Sequence, residues 1–192
     1  MNVSRAVAAQ FIVVCYAIFL IYWIVAAFWT KRTATKTGRL NFWLIRGSVV
    51  AVLLFYARAA SSGGTDRILW GYTPTLGTAA MVITTLGLMI LVWARATLAG
   101  NWSADVVLKE NHELIERGPY RYVRHPIYTG IIFMGLGGVL LSGTRFAVAV
   151  LACVLVLLWL KLSREERLLT VHFPDEYPRY KSRVKALIPF VI

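Results

Sequence analysis

The stretch PIYTGIIFMGLGGVLLSGTRFAVAVLACVLVLLWLKL, from Pro126 to Leu162, organises the second half of the chain. It contains two apolar runs, Pro126 to Leu141 and Arg145 to Leu162, which are separated only by the residues around SGTR. So short a connection permits only a tight turn between two antiparallel helices. The stretch therefore predicts a C-terminal helical hairpin.

The composition around this hairpin indicates a membrane protein. Of the 192 residues, 58% are hydrophobic and 16% are charged, and the mean hydropathy is +0.64. Soluble domains carry about 25% charged residues. The start of the chain is an apolar stretch of full spanning length, without the shorter apolar core and cleavage site of a signal peptide. The sequence predicts an all-α integral membrane protein.

The number of membrane-spanning helices follows from the lengths of the apolar segments. A hydrocarbon core of about 30 Å requires roughly 17 to 25 apolar residues per helix. Five segments suit this role, at residues 7–29, 42–60, 76–94, 126–141 and 145–162. Because no internal repeat or low-complexity linker divides them, we predict a single membrane domain over residues 1–192. A loop at 99–125 and a tail at 163–192 carry most of the remaining polar sequence.

The distribution of basic residues predicts the orientation of these spans. Of the 21 lysines and arginines, 15 fall in the first loop, the third loop and the C-terminal part from Lys161 onward, whereas Arg5, Arg67 and Arg145 fall on the opposite side. Lysine and arginine are enriched in cytoplasmic loops. We therefore predict that the N-terminus lies outside and that the third loop and the C-terminus lie in the cytosol.

The net charge of +12 does not require a nucleic-acid partner, since the topology and the attraction of anionic lipid headgroups account for it. The three histidines lack metal-ligand spacing, and both cysteines, Cys15 and Cys153, lie in apolar spans. We therefore predict neither a metal site nor a nucleic-acid site.

Two polar segments carry chemistry that plain loops do not need. The third loop mixes aromatic, acidic and basic residues up to Tyr128, and the tail begins with SREERLLTVHF. Helical periodicity places Lys161, Glu165 and His172 on one face of that tail. An interfacial aromatic belt and a solvated, salt-bridged helix end are the simpler alternatives. Together with a histidine and several arginines, however, the segments favour a pocket at the cytosolic side.

The motifs in these segments resemble those of a known family. They are NWS, the HxLI of His112 to Ile115, GPYRYVRHPIY, the EExxL that starts at Glu165, and FPDEYPRYKSRV. In this order they are similar to the isoprenylcysteine carboxyl methyltransferase and phospholipid methyltransferase superfamily of membrane enzymes. The short five-helix layout resembles its small prokaryotic members, which implies the prokaryotic plasma membrane as the location.

The resemblance implies S-adenosylmethionine as the cofactor and a set of residues that hold it in a cytosolic pocket. Pro126 suits the first position of a helix, whose free N–H groups could then meet the cofactor's carboxylate. The implied cofactor-binding residues are Lys109, His112, Glu113, Leu114, Ile115, Tyr120, His125, Pro126, Ile127, Tyr128 and Glu165.

The acceptor of the methyl group is implied to be an apolar small molecule or a lipidated molecule that arrives from the membrane lipids. A carboxylate acceptor is already ionised and needs a cation to hold it, for which Arg124 and Lys161 are the candidate catalytic residues. An amine acceptor would need a base such as His125 or His172, and a thiol acceptor also remains open. A sterol reductase-like enzyme that uses a nicotinamide cofactor and a non-enzymatic membrane adaptor are the rival classes.

Overall fold

The computed structural model describes residues 3–27, 67–99 and 114–189, and this part of the chain is helical. The helices are α1 (Arg5–Ala27), α2 (Pro74–Leu98), α3 (Pro126–Ser142), α4 (Arg145–His172) and α5 (Glu176–Arg183), with a 3-10 turn at Gly118–Arg121. Within the described ranges, β-structure is limited to two isolated bridges. The prediction of an all-α fold is confirmed there.

Four of the five predicted spans coincide with helices α1 to α4, and the predicted span at 42–60 lies outside the described residues. Helices α1, α2 and α4 are long and apolar enough to cross a membrane. Helix α3 has 17 residues, so its length is about 25 Å at the usual rise per residue. It is therefore shorter than the full hydrocarbon thickness, and the count of five spans stays a prediction.

The predicted tight turn between α3 and α4 is confirmed. Gly143 ends α3 in the left-handed conformation, with φ of 67°, and its N–H donates to the carbonyl of Val139. Thr144 begins α4, because its hydroxyl accepts the N–H of Ala147 at 3.3 Å. Glycine has no steric penalty in the left-handed region, and threonine is a favoured N-cap residue. The sequence GT therefore supplies both ends of the turn.

Glycines bring α2 and α3 into close contact. A Cβ atom placed on Gly130 of α3 would lie 2.7 Å from the carbonyl oxygen of Gly87 on α2, and one on Gly87 would lie 2.7 Å from the carbonyl of Gly130. Gly137 lies against Thr84 and against the carbonyl of Ala80. Small residues here let two backbones approach, as in other membrane helix pairs.

Helix α4 buries one stripe and exposes the rest of its apolar surface. The buried residues of the stripe are spaced by four or seven positions and are Ala147, Val154, Leu158, Leu162 and Glu166. Val156 and Trp159, on the other side, are 60% and 49% exposed. An apolar surface of this kind suits contact with lipid. The helix continues ten residues beyond the predicted span and carries both glutamates of the EExxL motif at that end.

Helices α1 and α2 run in the same direction, as the predicted topology requires of a first and a third span. The hydroxyl of Tyr72, just before α2, donates to the carbonyl of Val3 at 2.6 Å. At the opposite end, the guanidinium of Arg95 donates to the carbonyl of Ala26 at 2.6 Å. Arg5, Arg67 and Arg145, the three basic residues predicted to lie outside, are at the end where Tyr72 contacts Val3. There the N–H of Arg145 donates to the carbonyl of Arg67, and the guanidinium of Arg5 donates to the carbonyl of Ser142.

Candidate functional site

The candidate site lies where α3 begins, at the end of the molecule opposite the α3–α4 turn. Pro126 occupies the first helical position and is fully buried, and His125 precedes it with φ of −125° and ψ of 60°. A residue before proline avoids the helical region, so the motif RHP fixes the boundary of the helix by itself. His125 is consequently held at the N-terminal end of α3, with 7% of its surface exposed.

The backbone at this point pairs with a segment near the end of the chain, residues 185–187. Arg124 N–H donates to Lys185 O at 2.8 Å, and His125 N–H donates to Ala186 O at 2.9 Å. The hydroxyl of Thr129 donates to Leu187 O at 2.8 Å. Carbonyl groups of the C-terminal segment thus accept hydrogen bonds from donor groups at the start of α3.

The hydrogen bonds here bear on one expectation from the sequence, which stays a prediction for the N–H of Ile127. We expected free N–H groups at the start of this helix to be available to an anion. Pro126 has no N–H, His125 N–H is bonded to the C-terminal segment, and the N–H groups of Tyr128 and Thr129 donate to the carbonyl of His125. The physical reason is that buried backbone donors are satisfied wherever an acceptor can reach them. A ligand at this site would therefore depend more on side chains than on the helix end.

Glu166 of α4 is the buried carboxylate of the site. Its Oε1 atom accepts hydrogen bonds from Arg124 Nε at 2.9 Å and Arg124 Nη2 at 2.6 Å, and it lies 3.3 Å from His125 Nε2. Its Oε2 atom lies 2.6 Å from the ammonium of Lys181 in α5. A buried carboxylate stays ionised when cationic groups surround it in this way.

Glu165, the neighbouring carboxylate, has looser contacts. Its Oε2 atom lies 3.6 Å from His125 Nδ1, and its Oε1 atom lies 3.5 Å from Lys161 Nζ. Its side chain is 23% exposed, compared with 8% for Glu166. Both distances are longer than those of short hydrogen bonds. The side chain of Tyr128 is a further hydrogen-bond partner of Glu165. Since a carboxylate has about four lone-pair sites, Glu165 can also accept hydrogen bonds from a bound molecule.

Aromatic side chains line the space beside this carboxylate. The ring of Tyr128 is stacked with the imidazole of His125, with 5.3 Å between centroids and 2° between planes. The ammonium of Lys161 lies 5.3 Å from the centre of the same ring. The cationic and aromatic residues predicted from RHPIY and from the tail thus come together with Glu165 in one cluster.

Tyr120 and Tyr180 connect the 3-10 turn to α5. The hydroxyl of Tyr180 donates to the carbonyl of Tyr120 at 2.6 Å. Burial, followed by the negative charge of Glu116, raises the pKa of Tyr180 above its ordinary value. Burial and the charge of Glu165 likewise raise the pKa of Tyr120. Both phenols therefore remain protonated donors at physiological pH.

The structure brings together a subset of the predicted site residues. His125 and Lys161 each contact both Tyr128 and Glu165, and Pro126 and Ile127 are buried. Ile115 packs against the buried core that contains Tyr120, and Leu114 is half-buried. His172, a candidate base, is exposed and contacts the ring of Phe173. The predicted Lys109, His112 and Glu113 lie outside the described residues.

Arg124 has a different environment from the one expected of an acceptor-binding residue. Its guanidinium is 8% exposed, is bonded to Glu166, and donates to the carbonyls of Val184 and Lys181. Glu166, Lys181 and Tyr180 were not predicted as site residues from the sequence. The second glutamate of EExxL and the lysine of FPDEYPRYKSRV were present in the motifs, but a motif does not show which residue faces which partner.

Among residues 3–27, 67–99 and 114–189, no three His, Cys, Asp or Glu side chains form a group that could hold a metal ion. The cluster instead offers one partly exposed carboxylate, one lysine, one histidine and tyrosine rings. These groups can bind an ammonium or hydroxyl group, orient an anion and contact a flat ring.

Comparisons with known proteins identify similar sequences. Residues 79–171 match the family model for the isoprenylcysteine carboxyl methyltransferase (ICMT) family. The protein-S-isoprenylcysteine O-methyltransferase of Schizosaccharomyces pombe is 31% identical over 117 residues, which cover 59% of this chain and 50% of that protein. Methanethiol S-methyltransferase 1 of Bradyrhizobium diazoefficiens is 37% identical over 71 residues, which cover 37% of this chain and 24% of that protein.

A solved structure shows the same fold. The eukaryotic intramembrane Ras methyltransferase ICMT superposes with a TM-score of 0.56 and 19% identity, over 82% of this chain and 55% of that chain. At this identity the likeness concerns the fold, which is that of a membrane protein. The chain spans about half the length of the Schizosaccharomyces relative and of this structure.

Proposed function

We propose that this chain is a membrane methyltransferase that uses S-adenosylmethionine and methylates an apolar acceptor. The sequence matches confirm the predicted relationship to the isoprenylcysteine carboxyl methyltransferase superfamily. The observation that carries the proposal is the convergence of Glu165, His125, Lys161 and Tyr128 at one end of α3 and α4. These are the residues that the family resemblance implies for the cofactor and the acceptor.

The donor set of the cluster fits the chemistry of the cofactor. S-adenosylmethionine supplies a methyl group on a sulfonium, together with an ammonium, ribose hydroxyls and an adenine ring. Glu165 would accept hydrogen bonds from the ammonium or the ribose, because its own contacts are at 3.5 and 3.6 Å. Tyr120, Tyr128 and His125 would hold the aromatic part. The proposed site also includes Lys109, His112 and Glu113 in the third loop.

Lys161 is the proposed partner of the acceptor. In the transfer, the C–S bond of the sulfonium breaks as a C–O bond to the acceptor carboxylate forms, which leaves a neutral thioether and a neutral ester. The carboxylate needs no base, and the main contribution of the protein is alignment. The ammonium of Lys161 is 3.5 Å from Glu165 Oε1, and it would bind the acceptor carboxylate as a second anionic partner. A thiol acceptor is the alternative, since one relative is named as a methanethiol S-methyltransferase.

Binding of the nucleotide tests the proposal directly. Calorimetric titration of the purified protein in detergent with S-adenosylhomocysteine should show binding, and titration with NADPH should not. Glu165→Gln should weaken S-adenosylhomocysteine by about 1–3 kcal/mol, since a charged acceptor of hydrogen bonds is lost. The same change at the exposed Glu176 is the control and should leave affinity unchanged. Tight binding of NADPH would favour a reductase, and binding of neither nucleotide would favour a membrane adaptor.

The role of Lys161 is tested by separating acceptor kinetics from cofactor affinity. Lys161→Ala should raise the KM for an S-prenylated cysteine carboxylate, or lower kcat, by about tenfold, because one charge-assisted contact is lost. Affinity for S-adenosylhomocysteine should change by less than about twofold. Lys161→Arg should recover most of the activity, since it keeps the charge. Loss of cofactor binding with normal acceptor kinetics would assign Lys161 to the cofactor instead.

A further inference from the structure

The two adjacent glutamates of α4 differ in their surroundings. Glu166 is in contact with Arg124, His125 and Lys181, whereas Glu165 is in contact with His125, Lys161 and Tyr128. Consecutive residues of a helix point in directions about 100° apart, and here the two carboxylates approach opposite nitrogen atoms of one imidazole, that of His125. The pair EE therefore contains two groups with separate environments.

Glu166 connects segments that are far apart in the sequence. Arg124, at the start of α3, binds Oε1, and Lys181, in α5, binds Oε2. The same guanidinium donates to the carbonyl of Val184, next to the segment at 185–187 that pairs with the backbone of Arg124 and His125. One carboxylate thus joins α4, the start of α3, α5 and the C-terminal segment.

His125 lies between the two carboxylates. Its Nε2 atom is 3.3 Å from Glu166 and its Nδ1 atom is 3.6 Å from Glu165. Stacking on Tyr128 adds a second restraint on the plane of the imidazole. With the Nε2 side held by a buried carboxylate, the Nδ1 side is directed towards Glu165.

We infer that Glu166 is a positioning residue of this site: it fixes the imidazole of His125 and seats the C-terminal segment, while Glu165 is the glutamate that meets the ligand. The inference rests on the proposed function for the identity of that ligand. The seating of the segment does not, because it can be measured without any nucleotide.

Hydrogen exchange of the purified protein without nucleotide tests the seating. The reporters are the backbone N–H groups of Arg124 and His125, which donate to the carbonyls of Lys185 and Ala186. Glu166→Gln should speed their exchange by about tenfold or more, as expected when a buried charged contact worth over 1.4 kcal/mol is lost. Glu165→Gln, the same change one residue earlier, should alter it by less than about twofold. Equal effects of the two variants, or none in Glu166→Gln, would overturn the inference.

The conservative variant Glu166→Asp shows whether Glu166 acts through its charge or through the shape of its side chain. Glutamine keeps the shape of the side chain but removes its charge, whereas aspartate keeps the charge and shortens the chain. If Glu166 positions Arg124 and His125 electrostatically, affinity for S-adenosylhomocysteine should fall about tenfold in Glu166→Gln and recover partly in Glu166→Asp. Weaker binding by Glu166→Asp than by Glu166→Gln would show that shape matters more, and would overturn the inference.

A milder variant addresses the case in which a change at Glu166 prevents folding. Lys181 is 52% exposed, so Lys181→Met should fold. It removes the contact to Oε2 and should speed exchange at Arg124 and His125 by a smaller factor, about two- to fivefold. Exchange at the wild-type rate would overturn the inference. If exchange responds as expected while the wild-type protein fails to bind S-adenosylhomocysteine, the seating role stands and the proposed function fails.

Discussion

Arg124→Ala is expected to lower the free energy of unfolding by about 3–5 kcal/mol, the range for removing one partner of a buried ion pair. Glu166 would lose both hydrogen bonds to its Oε1 atom from the guanidinium, and the carbonyl of Val184 would lose a donor. Lys181 would be left as the nearest full cation, and it is half exposed. Titration with a denaturing detergent, followed by circular dichroism, measures the change.

Arg121→Ala is the matched control for this variant. Arg121 belongs to the preceding 3-10 turn and is exposed, so its removal should change stability by less than about 0.5 kcal/mol. A small loss in Arg124→Ala, combined with a raised acceptor KM, would contradict the structural role and restore the acceptor-binding role predicted from the sequence.

Gly130→Ala is expected to destabilise the protein by about 1–3 kcal/mol, and Gly130→Leu by more, because overpacking forces the backbone to shift. The added Cβ would lie 2.7 Å from the carbonyl oxygen of Gly87 and 2.9 Å from Leu91 Cγ. The first of these atoms belongs to a helix backbone and cannot turn aside. Helices α2 and α3 would have to separate, which the same unfolding titration would detect.

Gly135→Ala provides the comparison within α3. Its Cβ would meet only the Cδ1 atom of Leu151, at 2.8 Å, and the end of a leucine side chain can rotate away. Since alanine also favours a helix over glycine by about 1 kcal/mol, this variant should be neutral or slightly stabilising. Equal destabilisation by the two alanines would show that the close approach at Gly130 is not what holds the helices together.

The sequence predicted where α3 and α4 begin because these signals are local. RHP sets the start of α3, and the GT pair sets the turn into α4. The convergence of His125 and Glu165 was also predictable, since both belong to motifs that the family resemblance relates to one cofactor. Helical phase, apolar length and a proline are read directly from consecutive residues.

The remaining features of the site depend on contacts that no sequence pattern predicts. A backbone carbonyl, such as that of Ala186, has the same chemistry in every residue, so its pairing with His125 could not be foreseen. Two neighbouring glutamates look equivalent in the motif, and only the rotation of α4 decides that Glu166 is the buried one. Gly87 was missed for a similar reason, because one glycine in an apolar helix gives no indication of its partner.

The pairing of residues 185–187 with the start of α3 also determines when the site can form during synthesis. Thr129 and Leu187 are 58 positions apart, so the ribosome adds the acceptor carbonyls long after α3 has been made. Helices α2 and α3 can associate earlier, since their contacts need only residues up to Ser142. Contacts of high sequence separation are slow to form. The nascent protein would therefore insert its helices before it acquires a ligand site, and a chain truncated before residue 185 would be integrated but inactive.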